Sequence, residues 1–169
     1  MGLECIGCLE EGTAAQVVSL AVSSLALTER DFVLELSHMG FVTGLLDAVG
    51  APEAIRPRLL TCIRNKSTHD LQKTAREAGL SPQGIDALCR LETLSGSWEQ
   101  VLAQAEPLAL SAPMGTALTQ LRALCEALGE QSRYIRVDLS LANDMDYYNG
   151  LVLQGYLAGS PRAVLKGGR

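Results

Sequence analysis

Apolar and polar positions divide the chain into a strand–helix–strand start, a helical middle and a strand-rich end. Residues 3–8 form a short, mostly apolar run that predicts an opening strand. From Thr13 to Leu27, apolar residues surround almost the whole helical wheel, which predicts a helix buried against a sheet. Phe32–Leu36 is rich in β-forming residues and predicts the next strand. This order predicts a sheet with helices packed on it.

Between Pro52 and Pro107 the pattern changes to short helices separated by turn residues, and it predicts no strand. Three apolar stripes at helical spacing mark these helices: Ile55, Leu59, Leu60 and Ile63, then Leu71, Ala75 and Ala78, then Ile85, Leu88, Leu91 and Leu94. Ser81 and Pro82 are the residue types of a helix N-cap and first turn. We predict a helical insertion over residues 52–107, within a core built from residues 1–51 and 108–169.

The rest of the chain predicts one helix followed by three strands. The helix covers about residues 113–128. Residues 134–139 and 147–157 alternate between apolar and polar positions, as strands do. A turn then leads into a third strand that ends at Lys166–Arg169. One face of the second strand carries two hydroxyls and an amide, which suits a small polar ligand; its members are Tyr148, Val152, Gln154 and Tyr156.

Composition identifies an ordinary globular domain. Of 169 residues, 47% are apolar and 20% are charged, and 14 basic residues stand against 19 acidic ones for a formal net charge of −5. Such a chain is neither disordered nor collagen-like. The negative charge argues against nucleic acid or an anionic membrane as the main partner. The longest uncharged stretch, Gly12–Thr28, is too short and too polar to span a bilayer.

The cysteines predict a reducing compartment. There are five, an odd number, and the chain begins without a charged and apolar leader, so we expect a cytoplasmic protein. Cys5 and Cys8 have the spacing of a metal or redox pair, but no second pair follows and neither histidine lies at ligand spacing. Two small apolar residues in a strand explain them better. We therefore predict no metal and no cofactor.

The strongest candidate site residues are Tyr147 and Tyr148. A tyrosine offers a flat apolar ring and a hydroxyl that donates or accepts, although β-propensity alone also explains a tyrosine pair in a strand. Gly167–Gly168 could let backbone approach a ligand, or could form a turn or bulge. Glu4 could meet an ammonium group or face water at a sheet edge. His38 could cap a helix, bind a ligand or pack.

Two further patterns bear on function. Six basic residues and one acid, Asp70, lie between Arg56 and Arg76, which fits either a phosphate-contacting patch or a solvated helical surface. The sequence contains no suggestive Ser–His–Asp or Cys–His spacing, no Walker-type loop and no dinucleotide-binding fingerprint. It therefore predicts no catalytic residues.

The segment Asp144–Val152, followed by Gly167–Arg169, resembles the histidine-binding signature of the histidyl-tRNA synthetase family, in which a Leu-Asp-Tyr-Tyr-Thr-Gly-like strand precedes a Gly-Gly-Arg-Tyr-Asp loop. Gly2–Gly7 resembles the segment after that family's motif 2, and Phe32–His38 resembles its next strand and turn. The helical middle matches the family's insertion domain in position alone.

The resemblance implies a class II aminoacyl-tRNA synthetase-like α+β fold with a mostly antiparallel sheet, packed helices and a helical insertion. It implies that Tyr147 and Tyr148 hold the imidazole end of histidine, that Glu4 holds its amino group, and that Gly167 and Gly168 form the floor of the pocket. The class II motifs 1, 2 and 3 would lie outside residues 1–169, so we expect this chain to be an internal piece of a longer protein.

Two relatives share the signature: the synthetase, and its non-catalytic paralogue, the regulatory subunit of ATP phosphoribosyltransferase. In the synthetase an Arg-Gly pair that acts in amino-acid activation precedes the tyrosines, whereas this chain has Asn143–Asp144. A neutral amide cannot replace a guanidinium that neutralises phosphate charge. Val152–Gln154 replaces the usual Val-Phe-Glu, which removes another charge. Both departures favour the paralogue.

The paralogue would join short-form catalytic subunits in a hetero-oligomer, or form a homodimer, and transmit feedback inhibition by histidine in the first step of histidine biosynthesis. The alternatives are part of a histidyl-tRNA synthetase, with the basic helices between Arg56 and Arg76 facing tRNA, and a stand-alone binding module.

Overall fold

The structure is a computed structural model, and it describes residues 12–141, 148 and 150–169. Helices occur in the order α1 (Thr13–Ala26), α2 (Met39–Ala48), α3 (Arg56–Arg64), α4 (Thr68–Glu77), α5 (Pro82–Leu91), α6 (Trp98–Ala105) and α7 (Ala112–Ala127). Short 3-10 turns cover Glu53–Ile55, Glu106–Leu108 and Gly129–Tyr134. The strands are β1 (Phe32–His38), β2 (Ser95–Ser97), β3 (Ile135–Asp138), β4 (Leu151–Leu157) and β5 (Leu165–Gly168).

The described strands form one sheet in the order β2-β3-β1-β4-β5. β1 is parallel to β3, and the other three neighbouring pairs are antiparallel, which confirms the predicted α+β fold with a mostly antiparallel sheet. Helices α1 and α7 pack on the sheet, and α2 packs on α7. Leu34 and Leu36 on β1, with Ile135 and Val137 on β3, face this helical layer and are buried.

The helices of the middle region begin and end as the sequence indicates. Ser81 caps α5 by accepting a hydrogen bond from the Gly84 amide at 3.1 Å, and Pro82 occupies the first turn. The predicted stripes lie inward: Leu59, Ile63, Leu71, Leu88 and Leu91 are fully buried. They share one continuous apolar cluster with the residues under the sheet. The division into a core and an insertion at residues 52–107 stays a prediction.

Three local predictions are wrong. A strand, β2, lies inside the middle region, because Gly96 pairs with Val137 although Ser-Gly-Ser has little β-propensity. Helix α1 is buried on one side alone, since Leu20 is 52% exposed. Tyr148 precedes β4, which begins at Leu151 instead of residue 147.

Candidate functional site

The sheet face opposite α1 and α7 carries a row of polar side chains. Glu35 on β1 lies opposite Arg136 on β3 and Gln154 on β4. Gln154 lies opposite Lys166 on β5, and Arg136 lies opposite Ser97 on β2. Because cross-strand partners point to the same face, these side chains form one line across all five strands. We call it the polar row; its members are Ser97, Arg136, Glu35, Gln154 and Lys166.

Glu35 is the half-buried centre of the polar row. Burial raises the pKa of its carboxyl, and the charge of Asp138 adds to that, whereas Lys66 and Arg136 act in the opposite direction. Beside it, the Tyr156 hydroxyl donates to Gln154 Oε1 at 2.8 Å. Burial also raises the pKa of Tyr156, followed in effect by the charges of Glu35 and Asp138. The face therefore offers carboxylate, amide and hydroxyl groups to a polar ligand.

Tyr148 and Gly168 meet on this same face. Gly168 lies opposite Val152, which lies two positions before Gln154 of the polar row along β4. A methyl group at Gly168 would lie 2.6 Å from Tyr148 Cδ1 and 2.8 Å from the Leu151 carbonyl oxygen, so a side chain larger than hydrogen does not fit there. The Tyr148 ring therefore rests directly on the backbone of β5.

Gly167 belongs to the other face. A methyl group there would lie 3.3 Å from Leu153 Cδ1, on the side of the sheet that the helices cover. Tyr148 and Gly168 are thus in contact, whereas the missing side chain of Gly167 points away from them. Glu4 and Tyr147 lie outside the described residues, as do the Cys5–Cys8 pair and Asn143–Asp144.

His38 lies where β1 ends and α2 begins. Its Nδ1 accepts from the Gly40 amide at 3.1 Å, so it caps α2, and Nε2 lies 2.8 Å from Gln120 Oε1. With Nδ1 accepting, Nε2 carries the proton and donates. Burial lowers the pKa of the ring, the hydrogen bond to Gln120 opposes this, and the positive charge of Arg169 adds a smaller lowering. Of the three roles that the sequence left open, the structure assigns the helix cap.

Sequence analysis missed an ion pair at the end of β3. Lys66 Nζ lies 3.0 Å from Asp138 Oδ2, and Asp138 Oδ1 accepts from the Ser140 amide at 2.8 Å and the Ser140 hydroxyl at 2.5 Å. It also missed Glu35, although a charge between Leu34 and Leu36 in a strand is a readable sign of a polar face. The ion pair joins residues 72 positions apart, and nothing local indicates it.

Within the described ranges no three His, Cys, Asp or Glu side chains gather in a way that could hold a metal ion. In the same part of the chain, no helix has the length and apolar character needed to cross a membrane.

Comparison with known proteins gives a family. The model of the family described as histidyl-tRNA synthetase matches residues 1–169. The chain is 33% identical over 171 residues to the ATP phosphoribosyltransferase regulatory subunit of Geobacter sulfurreducens, covering 99% of this chain and 39% of that protein. It is also 33% identical over 162 residues to the histidine–tRNA ligase of Gloeobacter violaceus, covering 91% of this chain and 35% of that protein. The chain thus spans roughly two fifths of the length of these curated relatives.

Solved structures share the fold. An ATP phosphoribosyltransferase regulatory subunit/histidyl-tRNA synthetase from Bacillus halodurans C is similar with a TM-score of 0.83 and 27% identity, over 94% of this chain and 43% of that one. The ATP phosphoribosyl transferase (HisG:HisZ) complex from Thermotoga maritima has a chain with a TM-score of 0.72 and 19% identity, over 92% and 54% of the two chains, a likeness of fold. The family match along the whole sequence and the shared class II synthetase-like fold agree: this chain belongs to the histidyl-tRNA synthetase family.

Proposed function

We propose that this chain is part of a regulatory subunit of ATP phosphoribosyltransferase, a non-catalytic protein that senses histidine in the first step of histidine biosynthesis. The observation that carries the proposal is Asn143–Asp144, which stands where the synthetase signature has Arg-Gly. Relatives from Geobacter and Desulfitobacterium, at 33% and 29% identity over nearly the whole chain, carry the name of this regulatory subunit.

The histidine would bind on the polar face of the sheet. In this proposal Tyr147 and Tyr148 hold the imidazole, Glu4 binds the amino group, and the pocket floor is formed by Gly168 and by the backbone of Gly167, whose side-chain position faces the helices. The contact between the Tyr148 ring and Gly168 supports it, because backbone without a side chain lets an aromatic ring and a flat ligand lie close to the strand. The amide and hydroxyl groups of Gln154 and Tyr156 lie farther along the same face and match a polar ligand.

Loss of synthetase activity follows from charge. Activation of an amino acid by ATP develops negative charge on phosphate oxygens, and a fixed guanidinium aimed at that charge lowers the barrier. Asn143 offers an amide dipole, and Asp144 beside it adds repulsion. A site that keeps its ligand contacts but lacks this cation binds histidine without activating it.

The partner in this proposal is the short-form ATP phosphoribosyltransferase catalytic subunit, joined in a hetero-oligomer. A ligand shifts an equilibrium by binding one state more tightly than another, so histidine would favour an inhibited arrangement of the complex. No cofactor is needed for this role. The odd number of cysteines supports a reducing, cytoplasmic location.

The second candidate function is that of a histidine–tRNA ligase. The 33% identity to the enzyme of Gloeobacter violaceus favours it, and the basic residues between Arg56 and Arg76 would then face tRNA. The regulatory and ligase functions differ in one measurable reaction, the histidine-dependent exchange of pyrophosphate into ATP.

The test uses the full-length protein that contains this chain. We expect no histidine-dependent pyrophosphate exchange, and we expect the protein to activate a short-form ATP phosphoribosyltransferase in a histidine-inhibited manner. Robust exchange would establish the ligase and overturn the regulatory proposal. Absence of both exchange and activation would also overturn it and would favour a stand-alone binding module.

A further inference from the structure

Glu35 is a half-buried carboxylate without a donor of its own. It lies in the centre of the polar row, yet it forms no hydrogen bond and no ion pair with any residue that the structure describes. Lys66 and Tyr156 interact with it electrostatically, but their hydrogen bonds go elsewhere. Lys66 Nζ donates to Asp138 Oδ2 at 3.0 Å, and the Tyr156 hydroxyl donates to Gln154. A partly buried carboxylate without a donor is unfavourable, so the free protein leaves this group to be satisfied.

Gln154 lies opposite Glu35 and offers the complementary group. The two residues are a cross-strand pair of β1 and β4, so their Cβ atoms lie about 5 Å apart on the same face. The hydrogen bond from the Tyr156 hydroxyl to Gln154 Oε1 fixes the orientation of the amide, and Nε2 has no partner among the described residues. The pair therefore presents an acceptor on β1 beside a donor on β4.

A second group on β1 is also unpaired. Ser37 follows Glu35 by two positions on the same face and lies opposite Val152. It is fully buried, and within the part of the chain that the structure describes its hydroxyl has no hydrogen-bond partner. Buried polar groups in native proteins nearly always have a partner. Two neighbouring unpaired groups therefore indicate a face that a ligand, or water bound with it, completes.

This pair adjoins the contact between Tyr148 and Gly168. Gly168 lies opposite Val152, and Gln154 is the next residue of β4 on this face, so Gly168 and Gln154 are diagonal neighbours. Diagonal neighbours in an antiparallel pair lie about 7–8 Å apart, which is within reach of an aromatic side chain. A ligand ring that packs against Tyr148 can therefore also reach Gln154 and Glu35.

We propose that Glu35 and Gln154 determine specificity for histidine: the Glu35 carboxylate accepts the N–H of a neutral imidazole, and Gln154 Nε2 donates to its other nitrogen. A neutral imidazole has one donor nitrogen and one acceptor nitrogen, which match an acceptor and a donor on neighbouring strands. A ring without these nitrogens would leave both protein groups unpaired. This inference rests on the proposed function, because it names the groups that recognise the side chain of the same ligand.

The experiment measures specificity in the full-length protein, by calorimetry with two amino acids. Histidine is compared with thienylalanine, whose five-membered aromatic ring has neither an N–H donor nor a nitrogen acceptor. Glu35→Gln removes the charged acceptor at nearly constant shape, and Gln154→Leu removes the donor. The control is Glu99→Gln, which removes an equal charge from the exposed surface of α6.

We expect the wild-type protein to bind histidine at least about a hundredfold more tightly than thienylalanine, because the analogue leaves two polar groups unpaired. Glu35→Gln and Gln154→Leu should each lower that ratio about tenfold through weaker histidine binding, with the affinity for thienylalanine unchanged. Glu35→Gln should keep its melting temperature, because an amide is less costly to bury than an unpaired carboxylate. Glu99→Gln should match the wild type in both affinities.

An unchanged ratio in either Glu35→Gln or Gln154→Leu would overturn the inference and leave the proposed function intact. An equal loss of affinity for both amino acids would also overturn it, because a purely structural defect does not distinguish the two rings. If the wild-type protein binds no histidine, the proposed function fails and this inference fails with it.

Discussion

At the scale of single residues, the polar side chain of His38 at the end of β1 has a structural role. His38 is partly buried, caps α2 through Nδ1 and contacts Gln120 through Nε2. The contact with the Gly40 amide needs the neutral ring, since a protonated Nδ1 could not accept it. The hydrogen bond to Gln120 acts in the opposite direction and raises the pKa, but burial outweighs it.

The neutral His38 predicts a pH effect on stability. Because burial lowers its pKa below the ordinary value of 6.5, the folded protein takes up this proton less readily than the unfolded chain does. The free energy of unfolding should thus fall as the pH drops below about 6.5. His38→Asn keeps a good capping side chain but cannot titrate, so its loss of stability between about pH 6.5 and pH 5 should be smaller than that of the wild type.

Denaturant unfolding of both proteins across this pH range checks the prediction, since other titrating groups contribute equally to each. Parallel curves for the two proteins would show that the ring titrates alike in the folded and unfolded states.

Some features of the fold and of the candidate site could be predicted from local residue patterns, and others could not. The alternation of apolar and polar residues in β1, β3 and β4 predicts the polar face, because a strand's period of two is a local property. Ser81 predicts the start of α5 for the same reason, since a helix cap is also a local feature. The pairing of Lys66 with Asp138 has no such signal, because it depends on how α3 and β3 meet in three dimensions.

At the scale of elements, glycine lets α1 approach the sheet. Gly155 in β4 faces α1, and a methyl group there would lie 2.8 Å from Leu25 Cδ1 and 3.2 Å from the Leu165 side chain. Apolar residues surround nearly the whole helical wheel of α1, but only one side of the helix packs against the sheet. The apolar pattern therefore predicts more burial of α1 than the structure shows. Contact depends on the partner surface as well as on the helix.

Gly155→Ala should destabilise the protein by about 1–3 kcal/mol, because the added methyl group must displace Leu25 or spread the strands. The matched control is Gly115→Ala in α7, where nothing lies within 4 Å of the added carbon. That change should stabilise by about 0.5–1 kcal/mol through helix propensity. Denaturant midpoints of the full-length variants check both, and a harmless Gly155→Ala would contradict the close packing of α1 on β4.

At the scale of the whole molecule, the helical middle and the sheet share one apolar cluster. Leu88 in α5 and Leu46 in α2 are both fully buried in it. The sequence predicts an insertion here from a change of pattern, and pattern alone does not indicate whether two regions share a core. The edge strand β2 adds a backbone link between them.

Because the helical middle and the sheet share a core, we expect a cavity in one of them to destabilise the other. Leu88→Ala should cost about 2–5 kcal/mol of stability by leaving a cavity. Hydrogen exchange of the β1 amides should then speed up together with that of α5. If faster exchange stays confined to α3, α4 and α5, the helical middle unfolds as a separate unit.

The most direct test of the proposed function measures histidine inhibition of ATP phosphoribosyltransferase reconstituted from the short-form catalytic subunit and the full-length protein. Two neighbouring variants are compared. Gly168→Ala places a methyl group against the Tyr148 ring, whereas Gly167→Ala places it against Leu153 on the opposite face. We predict that inhibition of the Gly168→Ala complex needs at least about tenfold more histidine than inhibition of the wild type, which corresponds to a loss of about 1.4 kcal/mol of binding free energy. Inhibition of the Gly167→Ala complex should stay close to that of the wild type. Equal inhibition of all three complexes would contradict a histidine site at Tyr148 and Gly168.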